Sequence, residues 1–327
     1  MRILVTGGSG FIGSHLSRFF LKRGDEVVVV DDLSTGRSEN LADVRHHPAL
    51  QVIHTDLGEP SLVRQLCGDV DAVYHLAAAV GVALIAKHPI ETIHRNIYPT
   101  QLLLEELRRK HRDGKSIPLF LASTSEVYGK NPKPIWMEED DLVFGATTKP
   151  RWSYGASKAI DEFLALASYR EVQLPVVIAR FFNVVGPRQT GAYGMVLPRF
   201  VESAMKGEPL VVHDDGHQQR CFAHVHDVVR AVVKLTETVE THGRVYNLGS
   251  DRPVTILELA ERIRAIVNPD APIVFQSYSD AYDRDFEDIR RRVPDLGRIR
   301  SAIQYEPTRD LDTIIHDVWN SMTENPT

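Results

Sequence analysis

The sequence predicts an α/β fold with a doubly wound parallel sheet and a smaller, mixed α/β region towards the C-terminus. Apolar runs of strand length alternate with helical patterns through the first half of the chain. A glycine-rich turn joins the first of these runs to the first helical pattern. Strands that alternate with helices are typical of parallel sheets, because each parallel pair needs a crossover, and such crossovers are right-handed.

The N-terminal elements follow from short apolar runs and one clear helical period. Four runs are predicted to be buried parallel strands: Ile3–Val5, Val27–Val30, Val52–Ile53 and Ala72–Tyr74. Between the first two strands, apolar residues recur at helical spacing from Gly10 to Lys22. Gly24 then stands where a C-cap glycine belongs, so the helix is predicted to end just before it.

The middle of the chain continues the same alternation. Asn96–Arg109 and Ser157–Tyr169 are predicted to be helices. Pro118–Ala122 and Pro175–Arg180 are predicted to be further buried strands of the same sheet.

The rhythm of strands and helices weakens after about Gly186. We predict a helix over Arg220–Leu235 that follows a short strand, then a strand over Arg244–Leu248 and a helix over Thr255–Val267. The division expected is an N-terminal domain of residues 1–183, to which about 221–249 returns, and a smaller region of residues 184–327.

Composition excludes several classes of protein. The chain has 327 residues, of which 43% are apolar and 25% charged, so a sizeable core is expected and wholesale disorder is not. The net charge of -6 gives no general reason to bind nucleic acid or a membrane. Cys67 and Cys221 cannot form a disulfide framework, and Met1 leads straight into a strand rather than a secretory leader. A cytoplasmic protein is therefore expected.

The turn after the first strand, Thr6–Gly13, has the sequence TGGSGFIG. Glycines there allow a tight turn, a close approach of backbone to a pyrophosphate and close packing of helix on strand. The helix N-terminus that follows offers N–H groups and a partial positive charge to phosphate. The spacing of Gly7, Gly10 and Gly13 differs from G-x-G-x-x-G, so the strand–turn–helix context carries the prediction of a Rossmann-like dinucleotide site.

Acidic residues after the second and third strands bear on the choice of dinucleotide. Asp31 closes the second strand, 21 residues after Gly10. A carboxylate there accepts hydrogen bonds from the adenosine ribose and repels a 2′-phosphate, which favours NAD over NADP. Arg37 lies close enough to keep NADP open, and Asp32 is an alternative to Asp31. Asp56 either meets the adenine or is an ordinary turn aspartate.

Tyr154 and Lys158 are four residues apart at the start of a predicted helix, so their side chains share one face. A phenol is a poor base at neutral pH, because its ordinary pKa is about 10. A neighbouring ammonium and the positive ring of NAD⁺ would lower that pKa, and the phenolate could then take a hydroxyl proton as hydride leaves the carbon.

Together these motifs resemble the extended short-chain dehydrogenase/reductase family, and within it the nucleotide-sugar branch. The resemblance covers nearly the whole chain. It rests on the glycine turn, Asp31, Tyr74–Ala78 (YHLAA), Ser123–Gly129 (STSEVYG), Tyr154–Lys158 and Ala179–Arg188 (ARFFNVVGPR).

The resemblance implies a role for each matching position. Thr124 is expected to hydrogen-bond the substrate hydroxyl, Tyr154 to act as general base, and Lys158 to assist it and to hold the nicotinamide ribose. NAD is expected to stay bound and to shuttle hydride, so that the sugar is oxidised at C4 and often reduced again later. The remaining cofactor contacts are expected from Gly7, Gly10, Phe11, Ile12, Gly13, Asp31, Asp32, Asp56, Leu57, Leu76, Ala77, Ala78 and Asn96.

The resemblance also implies that residues 184–327 mainly bind a UDP-sugar. Arg220 is expected to contact the diphosphate, because a guanidinium can form two hydrogen bonds to one phosphate. Arg292 is expected either to bind phosphate in the same way or to form a salt bridge. The contacts expected with the substrate are Ser125, Asn183, Val196, Arg220 and Arg292. Gly191–Val196 and Asp283–Asp288 are expected near the pocket but match no single activity class.

The branch contains 4-epimerases, 4,6-dehydratases and UDP-glucuronate decarboxylases, which share a 4-keto intermediate. Many epimerases carry small residues where this chain has Ser125 and Glu126, and typical dehydratases carry Asp-Glu there. STSEVYG resembles the decarboxylase version. Glu126 is therefore expected to serve chemistry at C5, unless its carboxylate only bonds a neighbouring loop.

These points predict an NAD-dependent UDP-glucuronate decarboxylase that gives UDP-xylose or its 4-keto precursor. The alternatives are a UDP-glucose or UDP-glucuronate 4-epimerase, a 4,6-dehydratase and, in another class, a catalytically silent NAD-binding sensor. A homodimer is expected through a four-helix bundle of the helices over Asn96–Arg109 and Ser157–Tyr169. No metal is expected, and helix-face and loop positions account for the histidines His213, His217, His224 and His226.

Overall fold

The structure is a computed structural model that describes residues 1–79, 89–191, 195–278 and 289–324. The strands are β1 (Arg2–Thr6), β2 (Glu26–Asp31), β3 (Leu50–His54), β4 (Ala72–His75), β5 (Leu119–Thr124), β6 (Val176–Phe181), β7 (Val184–Val185), β8 (Leu210–His213), β9 (Gln219–Cys221), β10 (Ala223–His224), β11 (Arg244–Leu248), β12 (Pro253–Thr255), β13 (Ile273–Gln276) and β14 (Arg291–Arg292).

Nine helices lie within the same described residues. They are α1 (Phe11–Arg23), α2 (Pro60–Leu66), α3 (Pro89–Arg112), α4 (Ser153–Val172), α5 (Val196–Lys206), α6 (Val225–Glu237), α7 (Ile256–Val267), α8 (Gly297–Ile303) and α9 (Leu311–Glu324). Short 3-10 turns lie at Ser38–Leu41, Ser125–Tyr128, Pro150–Trp152 and Val239–Thr241.

Seven of the described strands form one sheet in the order β11-β6-β5-β4-β1-β2-β3. Every neighbouring pair in it is parallel. The strand order reverses between β1 and β4, and ligands in such sheets bind at the carboxyl ends of the strands beside the reversal. The predicted doubly wound parallel sheet is confirmed.

Helices cover both faces of this sheet because both faces are apolar. On one face α1 and α6 pack over a core that includes Leu16, Phe20 and Val228. On the other face α2, α3 and α4 pack over a core that includes Leu103 and Ile178. Strands buried on both sides explain the continuous apolar runs of the sequence.

The C-terminal region is built from small sheets and three helices. Strand β7 pairs with β10, β9 pairs with β12 and β14, and β8 pairs with β13. Helices α5, α7 and α9 enclose a separate core that includes Phe200, Leu259 and Ile315. Between these elements the chain returns to the main sheet, where β11 pairs with the edge of β6.

Three predicted helix starts are wrong. The helix predicted from Arg220 begins only at Val225, because Arg220 lies in β9, where it pairs with Val254 and Arg292. The helix predicted from Asn96 already begins at Pro89, and the helix predicted from Ser157 already begins at Ser153. The local pattern therefore misplaces helix starts that tertiary pairing and packing decide.

The helices of the described residues were also compared with the requirements of a membrane span. None of them combines the necessary length with the necessary apolar character.

Candidate active site

A cleft of about 550 Å³ opens at the carboxyl ends of the central strands and continues onto the C-terminal region. Most predicted site residues line it: Gly7, Gly10, Phe11, Ile12, Gly13, Asp31, Asp32, Asp56, Leu57, Leu76, Ala77, Ala78, Thr124, Ser125, Glu126, Tyr154, Asn183, Val196, Arg220 and Arg292. Asn96 and Lys158 are buried behind the cleft wall, at 0% and 2% exposure.

The glycine turn has the geometry that its sequence predicts. Gly7 has a φ of 70°, and a Cβ there would lie 2.7 Å from the backbone nitrogen of Ala77. A Cβ on Gly13 would lie 2.1 Å from the carbonyl oxygen of Gly7. Gly10 precedes α1 and no side chain caps that helix, so amides of its first turn are available to a phosphate. The cradle fits a dinucleotide pyrophosphate.

Asp31 is fixed beside this turn at the end of β2. Its carboxylate accepts hydrogen bonds from the amides of Ser9 and Leu33, each at 2.9 Å. Burial raises the pKa of Asp31, although these bonds work in the opposite direction. The position suits a ribose diol, as the sequence predicts for NAD.

The other acidic residues at this end have local partners. Asp32 forms an ion pair with Arg95 of α3, with 2.6 Å between Nη1 and Oδ2. Asp56 accepts a hydrogen bond from the amide of Gly58 at 2.9 Å, which is a turn contact. Their predicted contacts with the adenosine stay predictions.

Tyr154 reaches the cleft because α4 begins at Ser153 and packs on the turn after β5. Gly155 allows that packing, since a Cβ there would lie 2.5 Å from the carbonyl oxygen of Glu126. The side chain of Thr124 lies near the hydroxyl of Tyr154 and acts to lower the pKa of the phenol, against the larger effect of burial. Thr124 and Tyr154 therefore lie together at the end of β5, where a sugar hydroxyl would meet both.

In the protein without a cofactor, the pKa of Tyr154 is not lowered. Burial raises that pKa well above its usual range, and the carboxylate of Glu126 raises it further. The ammonium of Lys158 is paired with Asp161, with 2.8 Å between Nζ and Oδ2. The sequence expectation includes the positive ring of NAD⁺ beside the phenol, so a lowered pKa in the NAD-bound protein stays a prediction.

Glu126 lies between two arginines beside the Thr124–Tyr154 pair. Arg151 Nη1 is 3.0 Å from Glu126 Oε2, and Arg292 Nη1 contacts Oε1. Burial would raise the pKa of Glu126, but the guanidiniums of Arg292 and Arg151 outweigh it and lower the pKa to about 2. Glu126 is thus ionised at neutral pH, and its carboxylate lies between two guanidiniums.

Arg292 and Arg220 are neighbours on the paired strands β14 and β9. Arg290 instead pairs with Asp214 and Asp215 at the surface, so Arg292 is the member of the basic run that lines the cleft. Arg292 forms a salt bridge with Glu126, which is one of the two roles that the sequence predicts for it. The phosphate contacts predicted for Arg220 and Arg292 stay predictions.

Three further predicted substrate contacts occupy distinct parts of the cleft. Asn183 has a φ of 21°, and its side-chain amide donates to the carbonyl of Cys221 at 3.0 Å. Ser125 is buried in the turn after β5, and Val196 begins α5. Residues 192–194 of the Gly191–Val196 segment, and all of Asp283–Asp288, lie outside the described residues.

Sequence reasoning missed two charged residues of this site. Arg151 stands three residues before Tyr154, and Asp161 stands three residues after Lys158. Helical spacing places Asp161 on the face of Lys158, and that clue was available from the sequence. The contact between Arg151 and Glu126 joins residues 25 positions apart, so it follows from tertiary packing alone.

Histidines gather elsewhere, near the start of α6. The rings of His15 and His224 lie 5.1 Å and 4.7 Å from that of His226. Burial is the largest cause that lowers the pKa of each of these three histidines. Within the described parts of the chain, no group of three or more His, Cys, Asp or Glu residues is arranged to hold a metal ion.

The sequence and the fold were compared with known proteins. Residues 3–249 match the NAD dependent epimerase/dehydratase family. A UDP-N-acetyl-alpha-D-glucosaminuronate decarboxylase from Bacillus cytotoxicus is 37% identical over 307 residues, which span 94% of this chain and 92% of that protein. UDP-glucuronic acid decarboxylase 1 from Arabidopsis thaliana is 35% identical over 309 residues, which span 94% of this chain and 66% of the plant protein.

The fold is also similar to a solved structure with both ligands bound. UDP-glucuronic acid 4-epimerase from Bacillus cereus, in complex with UDP-glucuronic acid and NAD, has a TM-score of 0.87 and 28% sequence identity. The match covers 99% of each chain.

Proposed function

The chain belongs to the NAD dependent epimerase/dehydratase family, and we propose that it is an NAD-dependent decarboxylase of a UDP-linked uronic acid. The observation that carries this proposal is the position of Glu126 between Arg151 and Arg292, beside Thr124 and Tyr154. The two guanidiniums of that cluster are groups that could bind a carboxylate at C5 of a substrate, which a neutral hexose lacks. The similarity to two decarboxylases supports the same choice.

The cofactor that we propose is NAD, because the residues that line the cleft fit its pyrophosphate and its adenosine ribose. The amides of the glycine turn and of the first turn of α1 would bind its pyrophosphate, and Asp31 would accept from its adenosine ribose. When bound, NAD supplies the acceptor for the C4 hydride and its later return.

The residues of the cleft would then act on the sugar in sequence. Tyr154 takes the proton of the C4 hydroxyl while Thr124 holds the oxygen. The resulting 4-keto uronate is a β-keto acid, so the C5–C6 bond breaks, CO2 leaves and the electron pair moves onto the C4 carbonyl. Thr124 and Tyr154 stabilise the charge that develops on that oxygen by hydrogen bonding, and C5 then receives a proton.

Glu126 has an electrostatic role in this scheme. Its carboxylate neutralises one of the two guanidinium charges and holds both side chains in place. The guanidiniums that it holds would then face the substrate carboxylate. Two uncompensated guanidiniums would hold that carboxylate more strongly than the transition state, in which it is becoming neutral CO2.

A UDP-glucuronate 4-epimerase is the second candidate, because the fold similarity to such an enzyme covers nearly the whole chain. Both candidates bind a uronate and oxidise C4. They differ in whether the carboxylate is lost before the hydride returns.

The experiment is product analysis with three separate substrates: UDP-glucuronate, its 2-acetamido analogue and UDP-glucose. The proposal predicts loss of CO2 from at least one uronate, seen by mass spectrometry, and no turnover of UDP-glucose. Tyr154→Phe is the control for catalysis by this cleft. A C4 epimer of unchanged mass would instead establish the epimerase, and turnover of UDP-glucose alone would contradict both.

We further propose that the protein is a homodimer through α3 and α4, in the cytoplasm. Apolar side chains are exposed on both helices, and Ile90 and Phe163 are 83% and 67% exposed. Ile160 and Phe163 lie on one face of α4, where a second copy would bury them. Both cysteines are buried thiols without a disulfide, which suits a reducing compartment.

A further inference from the structure

A buried ion pair lies directly behind the cleft, and the reaction proposed above gives one of its members no role. Lys158 and Asp161 are three residues apart on α4, with Nζ 2.8 Å from Oδ2. They are 2% and 0% exposed. A carboxylate with no solvent around it acts strongly on charges nearby, because little screening separates them.

Neutral polar groups surround the pair on α3 and β4. The hydroxyl of Thr100 on α3 faces Asp161. The same hydroxyl is hydrogen-bonded to His75 Nε2, with 3.1 Å between the two atoms. The other ring nitrogen of His75 is 2.7 Å from the hydroxyl of Thr6. Burial, and then the charge of Lys158, lowers the pKa of His75 to about 3, so the ring is uncharged at neutral pH. His75 therefore does not balance Lys158 or Asp161.

The other charged groups near the pair have partners of their own. Glu162, the next residue of α4, is bonded to Arg180 at 2.7 Å. Glu126 on the cleft side is held by Arg151 and Arg292. Among the described residues, Asp161 is thus the carboxylate that is paired with the ammonium of Lys158.

We propose that Asp161 is a positioning residue that holds the Lys158 ammonium, offsets its charge and so sets the pH at which Tyr154 loses its proton. This inference depends on the proposed function in one respect, which is that Tyr154 acts as the base. An ammonium beside a phenol favours the phenolate, and a carboxylate disfavours it. With both present the carboxylate opposes the ammonium, so Tyr154 stays protonated at neutral pH unless a further positive charge lies beside it.

The direction of the effect agrees with the charges that act on the phenol. After burial and Glu126, the carboxylate of Asp161 is a further cause that raises the pKa of Tyr154. Neutralising Asp161 while keeping Lys158 would leave the ammonium unbalanced and stabilise the phenolate. Neutralising both would restore the original balance.

The test is a pH titration of the phenol itself in the full-length protein with NAD added, by NMR of tyrosine labelled with ¹³C at Cζ. The Tyr154 resonance is identified by its loss in Tyr154→Phe. Asp161→Asn is expected to titrate roughly one pH unit lower than the parent protein, which is about tenfold more phenolate at a given pH. Asp161→Glu is expected to restore the parent midpoint. Glu171→Gln makes the same charge change at the exposed end of α4 and is expected to shift nothing.

An Asp161→Asn protein that is folded and titrates like the parent would overturn the proposal. Should that variant not fold, Lys158→Gln is compared with Lys158→Gln/Asp161→Asn, which leaves no charge at the pair. The single variant is expected to titrate higher than the parent and the double variant close to it. A double variant that titrates as high as the single one would also overturn the proposal. The titration needs no sugar, so failure of the decarboxylase proposal would not be mistaken for failure here.

Discussion

At the scale of single residues, burial and neighbouring charges together affect the pKa values of Glu126 and Tyr154 in opposite directions. Glu126 is ionised because two guanidiniums outweigh its burial, and its pKa is about 2. The pKa of Tyr154 is raised, chiefly by burial. Because the folded pKa of Glu126 lies below its ordinary value, its ion pairs stabilise the fold above that ordinary value and are lost as pH falls towards about 2.

The first prediction concerns the pH dependence of C4 oxidation. The rate of NADH formation in a single turnover is expected to rise with pH between about pH 6 and about pH 9, because Tyr154 must lose its proton to act as the base and burial raises the pKa of its phenol. Stopped-flow absorbance of NADH measures it. Glu126 is expected to contribute no titration in this range. A rate that does not change with pH in this range would contradict the assignment of Tyr154 as the base. So would a pH dependence that disappears in Glu126→Gln, because it would then belong to Glu126.

The second prediction concerns Glu126→Gln. The amide keeps the shape but leaves the charges of Arg151 and Arg292 uncompensated, so CO2 loss is expected to slow by roughly 10²-fold or more. C4 oxidation is expected to persist in part, and bound NADH should accumulate. Single-turnover absorbance and product mass are followed together. Full decarboxylation by this variant would show that Glu126 has no role in chemistry at C5.

At the scale of elements, the sequence predicted the strands, helices and caps that are defined by patterns of neighbouring residues. Apolar runs identified the strands of the central sheet, and Gly24 caps α1 in a left-handed conformation with a φ of 92°, as predicted. Thr255 and Glu258 form a capping box at the start of α7, which the periodicity placed within one residue. By contrast, β9 has three residues and β14 has two. These short strands are defined by their pairing with each other, which no local sequence pattern reveals.

The same distinction explains which parts of the site were found. The glycine turn, Tyr154 and Lys158 are defined by spacing along the chain, and the sequence identified them. Arg151 and Arg292 meet at Glu126 only because the turn before α4 and strand β14 converge there. Contacts of that kind depend on the packing of distant segments.

The third prediction concerns the exposed face of α4. Phe163→Glu places like charges at the proposed interface, so the mass in solution is expected to fall from that of a dimer to that of a monomer. Sedimentation velocity measures it. Val239→Glu, at a residue that is 72% exposed outside α3 and α4, is the matched control and should stay dimeric. A monomeric parent protein, or a dimeric Phe163→Glu, would exclude this interface.

At the scale of the whole molecule, the site combines a cofactor cradle and a substrate region on opposite sides of one cleft. The glycine turn and Asp31 come from the central sheet, whereas Val196, Arg220 and Arg292 come from the C-terminal region. The net charge of the chain is -6, yet two arginines lie beside Glu126 in this part of the cleft. Recognition of an anionic sugar therefore depends on a few placed guanidiniums and not on the overall field.

The most direct measurement of the central claim uses UDP-glucuronate, or its 2-acetamido analogue, labelled with ¹³C at C6 and with deuterium at C4. The account predicts that ¹³CO2 is released in proportion to the substrate consumed. It also predicts that, in a single turnover quenched at successive times, the deuterium appears on bound NADH before any is found at C4 of the resulting pentose. Retention of the ¹³C in a nucleotide sugar with inverted C4 would contradict decarboxylation, and loss of CO2 with no deuterium on bound NADH at any time would contradict oxidation at C4.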